Sequence, residues 1–282
     1  MSAEAGIMGG CIVPHPPLLV PDIGGRELER VRSTREAMER LGATIRDLSP
    51  EVLVMISPHT PIFRDAFTVK SGERLEGSFA SFGCPQVRIA KDNDVELAGV
   101  LVEEAEAEGL PLVAVEHSRG GWLDRGEDLD HGLLVPLYYL DQYLETPIVS
   151  LSISGLDYRS HFRLGAVVRR ACRRMGRKAF FVASGDLSHR LVRGAPAGYH
   201  PLGAEFDRRI VDIAASGDFD SLYLLEEDLV EAAGECGLRS IHALWGALKD
   251  GELRNQVLSY EGPFGVGYLV SLHLLSSREV AE

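Results

Sequence analysis

Three histidines in this chain each follow the end of a short apolar run. His15 lies in PHPPLLVP after the run 6–13, and His59 lies in SPHTP after the run 52–57. His189 ends the motif SGDLSH, which follows the run 178–184. The prolines around His15 and His59 hold the backbone extended and rigid, which suits fixed ligands. Because neutral imidazole is the commonest metal ligand in proteins, the pattern indicates a metal site.

A third ligand is offered by the motif AGECG, which precedes the last long helical segment. Two imidazoles and one carboxylate form the facial triad of non-haem Fe(II) oxygenases, and Glu235 would supply that carboxylate. Cys236 is the rival ligand, because its softer thiolate favours zinc or copper over oxygen-reactive iron. The sequence favours Glu235 for Fe(II) and leaves Cys236 as the alternative.

Strands that alternate with helices are expected to position these side chains. Apolar runs predict strands at 6–13, 52–57, 111–115, 148–153 and 178–184, and helical spacing predicts helices at 25–47, 92–108, 158–175 and 205–216. The pattern favours one α/β domain over 1–282, a three-layer αβα sandwich with a mainly parallel, mixed sheet. Closing strands at 256–260 and 267–274 are expected to form an antiparallel edge, and the stretch 67–90 a hairpin or projecting loop.

The carboxyl ends of the strands are where an open α/β sheet places its ligand site. His15, His59 and His189 each follow such an end and are therefore expected to converge. Four other histidines are interpreted as structural, namely His117, His161, His242 and His273. For His200 a structural turn is favoured, with a position in the site lining as the alternative. Four apolar or aromatic residues are expected to line the site, and each would equally suit the core: Phe63, Trp122, Leu123 and Tyr199.

Charge and composition restrict the classes of partner. The chain has 29 basic and 42 acidic residues and a net charge of −13, which disfavours nucleic acid and anionic membrane as partners. No apolar run reaches the roughly 20 residues of a membrane helix, and the first residues lack the layout of a signal peptide, so a cytoplasmic protein is expected. The four cysteines form no CxxC pair, which indicates free thiols and excludes a zinc ribbon.

Five motifs in a fixed order carry a family resemblance. PHPP, SPH after the second strand, DHG before VPL, SGDLSH, and AGE before a helix ending in WGAL together resemble the class III extradiol ring-cleavage dioxygenases of the LigB type. The resemblance extends over about 6–274. It implies a LigB-like fold, a single Fe(II) held by His15, His59 and Glu235, and cleavage of a catechol- or aminophenol-like ring with O2.

The same resemblance implies roles for two further histidines. His189 would be the acid–base catalyst, since an imidazole with a near-neutral pKa suits successive proton transfers. His131, in the motif DHG, would contact and orient the substrate or O2. Asp186, three residues before His189, is expected to fix the tautomer of that histidine.

Two departures from the ring-cleaving pattern point to a second branch of the same fold. The aspartate of GDLSH and the cysteine of ECG are similar to the Memo proteins, which bind metal through two histidines and a cysteine. The chain also resembles bacterial LigB-like proteins associated with AMMECR1 and radical-SAM partners. The alternative function is therefore a Memo-like metal-binding or redox protein that acts with an AMMECR1-type partner; a homo-oligomer is also open.

Overall fold

The computed structural model describes residues 6–116, 128–140 and 145–276. The strands within these ranges are β1 (Gly6–Val13), β2 (Val52–Ser57), β3 (Phe67–Lys70), β4 (Arg74–Phe79), β5 (Cys84–Asp92), β6 (Leu112–Val115), β7 (Ile148–Ser152), β8 (Lys178–Ser184), β9 (Leu253–Glu261) and β10 (Tyr268–Leu275). The α-helices are α1 (Pro21–Gly24), α2 (Arg32–Leu48), α3 (Val95–Ala107), α4 (His131–Leu140), α5 (Tyr158–Met175), α6 (Leu202–Ser216), α7 (Glu227–Ala233) and α8 (Leu238–Leu248).

A mixed sheet of eight strands runs through the described part of the chain in the order β6-β3-β7-β2-β8-β1-β10-β9. The four central strands β7, β2, β8 and β1 are parallel, so their carboxyl ends meet at one edge. β10 pairs antiparallel with β1, and β9 with β10, which confirms the expected antiparallel edge. At the other end, β3 is antiparallel to β7 and parallel to β6.

Alternating side chains of the central strands divide the core into two layers. In β2, Val52, Val54 and Ile56 face one side, and Leu53 and Met55 face the other. Helices α3, α5, α6, α7 and α8 cover the first face, and α2 and α4 cover the second. Strands buried on both faces read as continuous apolar runs, which is why the sequence pattern located them. The three-layer α/β architecture expected from the sequence is confirmed.

The stretch 67–90, expected to be a hairpin or a projecting loop, contains both a strand of the main sheet and a separate hairpin. β3 enters the main sheet, whereas β4 and β5 form a separate two-stranded hairpin. The hairpin packs through Leu75, Phe79 and Ile89 on the face that α2 and α4 cover. Glycine and serine interrupt the alternation here, so the sequence pattern alone did not separate β3 from the hairpin.

Close packing of α5 and α8 fixes the helix that follows the AGECG motif. At Gly165 and Gly246 an added Cβ would collide with the backbone of the opposite helix, at Ala243 and Phe162 respectively. Only glycine allows this approach without displacing a helix. The body of α8 is thereby packed closely against α5. Among the described helices, none combines the length and apolar character needed to cross a membrane.

Candidate metal centre

Two histidines and one cysteine meet beyond the carboxyl ends of β1 and β2. The Nε2 atoms of His15 and His59 lie 2.9 Å apart. The Sγ atom of Cys236 lies 3.7 Å from His15 Nε2, and the three ligand atoms all lie within 4.8 Å of one another. The parallel central strands bring the two histidines together, as the positions of His15 and His59 after strand ends predict. The third member comes from the turn before α8.

Cys236, rather than Glu235, completes this cluster in the structure. The Glu235 carboxylate instead accepts a hydrogen bond of 2.6 Å from the Leu238 backbone N–H, in the first turn of α8. First-turn N–H groups have no partner within their helix, so a carboxylate is favoured there. The placement departs from the expectation that Glu235 is the third ligand, because adjacent residues of a turn point in different directions.

The ring of His15 is held with Nε2 toward the cluster. Ser184 Oγ donates its hydrogen to the Gly132 carbonyl oxygen, so toward His15 it acts as an acceptor. The donor to it is His15 Nδ1, which lies 2.9 Å from Ser184 Oγ. This network assigns the ring hydrogen to Nδ1 and leaves a lone pair on Nε2. Hydrogen bonding of the distal nitrogen is the usual way to orient a histidine ligand.

Burial keeps both imidazoles of the cluster neutral. It lowers the pKa of His15 well below the ordinary value, and charge on His59, His131 and His189 would lower it further. Burial also lowers the pKa of His59 to about 4, with a further lowering by His131. Neutral imidazole is the form that binds a metal, so neither ring would have to lose a proton near pH 7.

Asp186 lies against the cluster, not against His189. Its Oδ1 accepts from the His15 backbone N–H at 3.0 Å, and its Oδ2 lies 3.8 Å from His15 Nε2. Burial raises the pKa of Asp186 to about 7, the His15 N–H opposes this rise, and the charge of Asp207 adds to it. The expectation that Asp186 fixes the tautomer of His189 is therefore wrong. The Leu187 carbonyl oxygen, 3.0 Å from His189 Nδ1, accepts the hydrogen bond that fixes it.

The surroundings of Cys236 disfavour its thiolate form when no cation is bound. Burial raises its pKa well above the ordinary value, and the negative charges of Asp186 and Glu235 raise it further. A divalent cation would reverse this balance, since it attracts the thiolate and both carboxylates. Metal–nitrogen bonds of about 2.0–2.1 Å and a metal–sulfur bond of about 2.3 Å let one ion reach all three ligands at these spacings. The donor set therefore fits a transition metal.

Two glycines allow the loops that carry Asp186 and Cys236 to cross. A Cβ on Gly185 would collide with the Cα of Gly237. At this crossing the Cys236 backbone N–H donates to Asp186 O at 3.3 Å. The close approach of the two backbones, which glycine alone permits, sets the position of the thiol.

His189 is held by a rigid network beside the cluster. Its backbone N–H donates to Ala233 O at 3.0 Å. The buried Asp207 carboxylate accepts from Ser188 N–H and from the Tyr260 hydroxyl, each at 2.7 Å. With its ring hydrogen on Nδ1, donated to Leu187 O, His189 keeps Nε2 as a proton acceptor. Burial lowers the pKa of His189, so the neutral base is present near pH 7.

His131 stands beside His59 at the start of α4. Their ring centroids are 4.1 Å apart at an angle of 31°, and the Phe82 ring contacts His131 at 5.3 Å. The preceding Asp130 accepts from Ser57 Oγ at 2.6 Å and from Gly132 N at 2.7 Å. This carboxylate ties the end of β2 to the start of α4. Sequence reasoning missed Asp130, although it is adjacent to His131 in the motif DHG.

A cavity of about 290 Å³ adjoins the two histidines His59 and His131. Phe63 lines it, as expected, together with the ring of Phe82. Its remaining lining residues include Pro61, Thr68, Lys70, Ser78, Asp128, Leu129 and Leu134. Tyr199 is not among them, and 53% of its surface is exposed. Trp122 and Leu123 lie outside the described residues.

The histidines interpreted as structural are engaged elsewhere in the fold. Buried His161 accepts from Ser154 N through Nε2, and His200 Nδ1 accepts from Leu202 N before α6. His273 contacts Ser271 Oγ and Asn255 Oδ1, and His242 is stacked on Tyr158. His117 lies outside the described residues. None of the four that are described belongs to the metal cluster.

The fold and the site together define an α/β protein in which two histidines and a cysteine, a donor set that fits a transition metal, cluster beyond the central strands. The family model described as "Catalytic LigB subunit of aromatic ring-opening dioxygenase" matches residues 9–271. The chain belongs to this LigB family.

Two relatives and one solved structure are similar to most of this chain. Protein CA_C1420 of Clostridium acetobutylicum is 34% identical over 261 residues, which cover 92% of this chain and 56% of that protein. The chain thus spans about half of that relative. The 2-aminophenol 1,6-dioxygenase beta subunit of a Pseudomonas species is 26% identical, with 95% of this chain and 94% of the subunit covered. In fold, the crystal structure of the uncharacterized protein JW3007 from Escherichia coli K12 is similar, with a TM-score of 0.62, 22% identity, and coverage of 95% and 99%.

Proposed function

We propose that this chain is a single LigB-like catalytic domain over 1–282 that opens a catechol- or aminophenol-like ring with O2 at a non-haem metal. The observation that carries the proposal is the cavity beside His59 and His131, whose aromatic wall suits a planar ring. The Pseudomonas relative is named for ring opening of 2-aminophenol, and the family description names aromatic ring-opening. Fe(II) is the proposed metal, as in the ring-cleaving members that the sequence resembles.

The metal would be held by His15 and His59, with Cys236 as third ligand in the arrangement of the structure. Bound Fe(II) would hold a chelating substrate and O2 side by side and so make their reaction effectively intramolecular. Glu235 remains the competing carboxylate ligand and would have to leave the N-terminus of α8 to reach the ion.

The residues around the cluster supply the proton transfers and the orientation. We assign His189 as the base that removes a proton from the substrate hydroxyl at Nε2 and later returns it to the departing oxygen. His131 would contact the ring or O2 across the cavity from Phe82.

A second function is favoured by the position of Cys236. A thiolate in the ligand set suits copper or zinc, as in the Memo-like alternative: a metal-binding or redox protein that acts with protein partners and cleaves no ring. An AMMECR1-type partner belongs to this alternative. Protein CA_C1420 extends beyond the region that matches this chain, which is consistent with a function that needs a further segment. The word "subunit" in the name of the Pseudomonas relative supports an oligomer under the first function.

The deciding experiment reconstitutes the protein with Fe(II) without oxygen, then adds catechols or aminophenols and air. The ring-cleaving function predicts a yellow ring-opened product. His189→Ala should retain stoichiometric metal and lose turnover, whereas His15→Ala and His59→Ala should lose the metal itself. His200→Ala is the matched histidine control and should change neither. If no substrate is turned over while copper or zinc binds stoichiometrically through Cys236, the second function replaces the first.

A further inference from the structure

A buried carboxylate lies behind the loop that carries His189. Asp207 on α6 is fully buried. Its Oδ1 accepts from the Ser188 backbone N–H and its Oδ2 from the Tyr260 hydroxyl, each at 2.7 Å. Burial raises the pKa of Asp207 to about 6, a cost that a neutral amide at this position would avoid. The need of one backbone N–H for an acceptor therefore does not account for a charged group here.

One peptide unit joins this carboxylate to the imidazole of His189. The N–H of that unit belongs to Ser188 and donates to Asp207. Its carbonyl oxygen belongs to Leu187 and lies 3.0 Å from His189 Nδ1. The N–H and C=O of a trans peptide point in opposite directions, so Asp207 and His189 contact opposite edges of the same plane. Two hydrogen bonds and one peptide thus connect the carboxylate to the ring.

Backbone contacts on either side fix the plane of this peptide. The Leu187 N–H donates to Gly267 O at 2.8 Å, and the Gly267 N–H donates to Ser188 O at 2.9 Å. A Cβ on Gly267 would collide with Asp207 Oδ2, so this glycine also lets the carboxylate approach. The peptide between Leu187 and Ser188 cannot rotate without breaking these contacts.

A negative charge at one edge of a peptide strengthens the hydrogen bond that its carbonyl oxygen accepts at the other. Hydrogen bonds in a chain polarise one another, and the effect is largest when one member is ionised. An imidazole whose Nδ1–H meets a stronger acceptor binds a proton more tightly at Nε2. We propose that Asp207 is a positioning residue for His189: through the Leu187–Ser188 peptide, its charge holds the ring hydrogen on Nδ1 and makes Nε2 a stronger base. This inference rests on the proposed function, in which His189 is the base.

The titratable groups around the two side chains set the conditions of the test. On the Asp207 side they are Tyr260, which donates to the carboxylate, and Asp186 and Glu235, whose pKa values burial raises and the charge of Asp207 raises further. On the His189 side they are the two cluster histidines, whose pKa values burial lowers and charge on His189 lowers further. Zn(II) would occupy the cluster nitrogens, and at pH 8 Asp207 is ionised. A comparison under these conditions leaves the charge of Asp207 as the variable.

The test is nuclear magnetic resonance of protein loaded with Zn(II), a closed-shell ion without redox chemistry, at pH 8. Asp207→Asn keeps an acceptor for the Ser188 N–H and removes the charge. It should move the His189 Nδ1–H signal upfield, because the bond to Leu187 O weakens. In a titration, His189 should bind a proton about threefold more weakly. Asp212→Asn, exposed on the same helix, is the matched control and should change neither.

Tyr260→Phe should give the opposite change and does not depend on the asparagine variant being folded. The Tyr260 hydroxyl competes with the Ser188 N–H for the charge of Asp207, so its loss should move the His189 Nδ1–H signal downfield. The signal is assigned by its disappearance in His189→Gln. Metal stoichiometry and thermal unfolding show which variants are folded. An unmoved signal in the folded variants, or a shift of Tyr260→Phe upfield, would overturn the Asp207 assignment.

Turnover by the Fe(II) protein separates this inference from the proposed function. If the ring is opened, Asp207→Asn should lower kcat about threefold with KM nearly unchanged, and the acid limb of the kcat/KM profile should move to lower pH. If no ring is opened but the His189 signal still depends on Asp207, the proposed function fails and the link between the two residues stands. If the ring is opened while that signal ignores both substitutions, the proposed function stands and the Asp207 assignment fails.

Discussion

Replacement of Asp207 by asparagine should make the stability of this protein less dependent on pH. The Asp207 carboxylate is fully buried on α6 and accepts from Ser188 N–H and the Tyr260 hydroxyl. Burial raises its pKa from 3.8 to about 6, although both hydrogen bonds oppose the rise. Asparagine can still accept from Ser188 N–H, and its amide can donate to Tyr260 Oη after the hydroxyl hydrogen rotates. The substitution thus removes the charge and keeps the contacts.

The sign follows from proton linkage. An acid whose folded-state pKa exceeds its unfolded-state value binds the proton more tightly when folded, so stability is greatest below the unfolded value and falls as pH rises through both. For Asp207, a rise from 3.8 to about 6 corresponds to a loss of about 3 kcal/mol, of which roughly half is complete by pH 5. The charge of Asp207 also raises the pKa of Asp186, which acts in the same direction.

Urea unfolding of metal-free protein at pH 5 and pH 8 tests this expectation. The stability of Asp207→Asn relative to the wild type should increase by about 1–2 kcal/mol between the two pH values. Asp212→Asn is the control, because Asp212 is on the same helix but exposed, and its effect should not vary with pH in this way. A relative stability of Asp207→Asn that is flat, or that falls, from pH 5 to pH 8 would refute the burial argument.

Further predictions concern the metal ligands, the loop crossing and the packing of α4. Cys236→Ser should weaken zinc or copper binding about tenfold or more, measured by competition with a chromophoric chelator, whereas Glu235→Gln should have a much smaller effect. The opposite ranking would make Glu235 the ligand. Gly185→Ala should lower both metal stoichiometry and the thermal midpoint, because its Cβ collides with the facing loop; unchanged values in metal analysis and calorimetry would show that the loops can separate without cost. Tyr139→Phe should lower the free energy of unfolding in urea by about 1–3 kcal/mol, since a buried carbonyl loses the hydroxyl that donates to it. Tyr199→Phe, on an exposed side chain, should change it little.

Much of the fold was predictable because its central strands are buried on both faces. The structure places β1, β2 and β8 at 6–13, 52–57 and 178–184, as the apolar runs predict. Parallel pairing then brings the residues that follow these strands to one edge, which is why His15 and His59 could be expected to meet. The stretch 67–90 was less predictable, since its glycines and serines conceal the boundary between β3 and the hairpin.

The sequence by itself determined which types of residue reach the site: histidines after parallel strands, and a Glu-Cys pair in the turn before α8. Hydrophobic periodicity locates the strands, and residues that follow parallel strands lie at the same edge of the sheet. Only the tertiary structure decided which member of the Glu-Cys pair faces the histidines. That choice depends on the crossing of two glycine-containing backbones and on the hydrogen bond that the first turn of α8 donates to Glu235. The tertiary structure also decided that Asp186 lies against His15. The direction of a side chain at a strand end or in a turn depends on packing between elements that are distant in sequence.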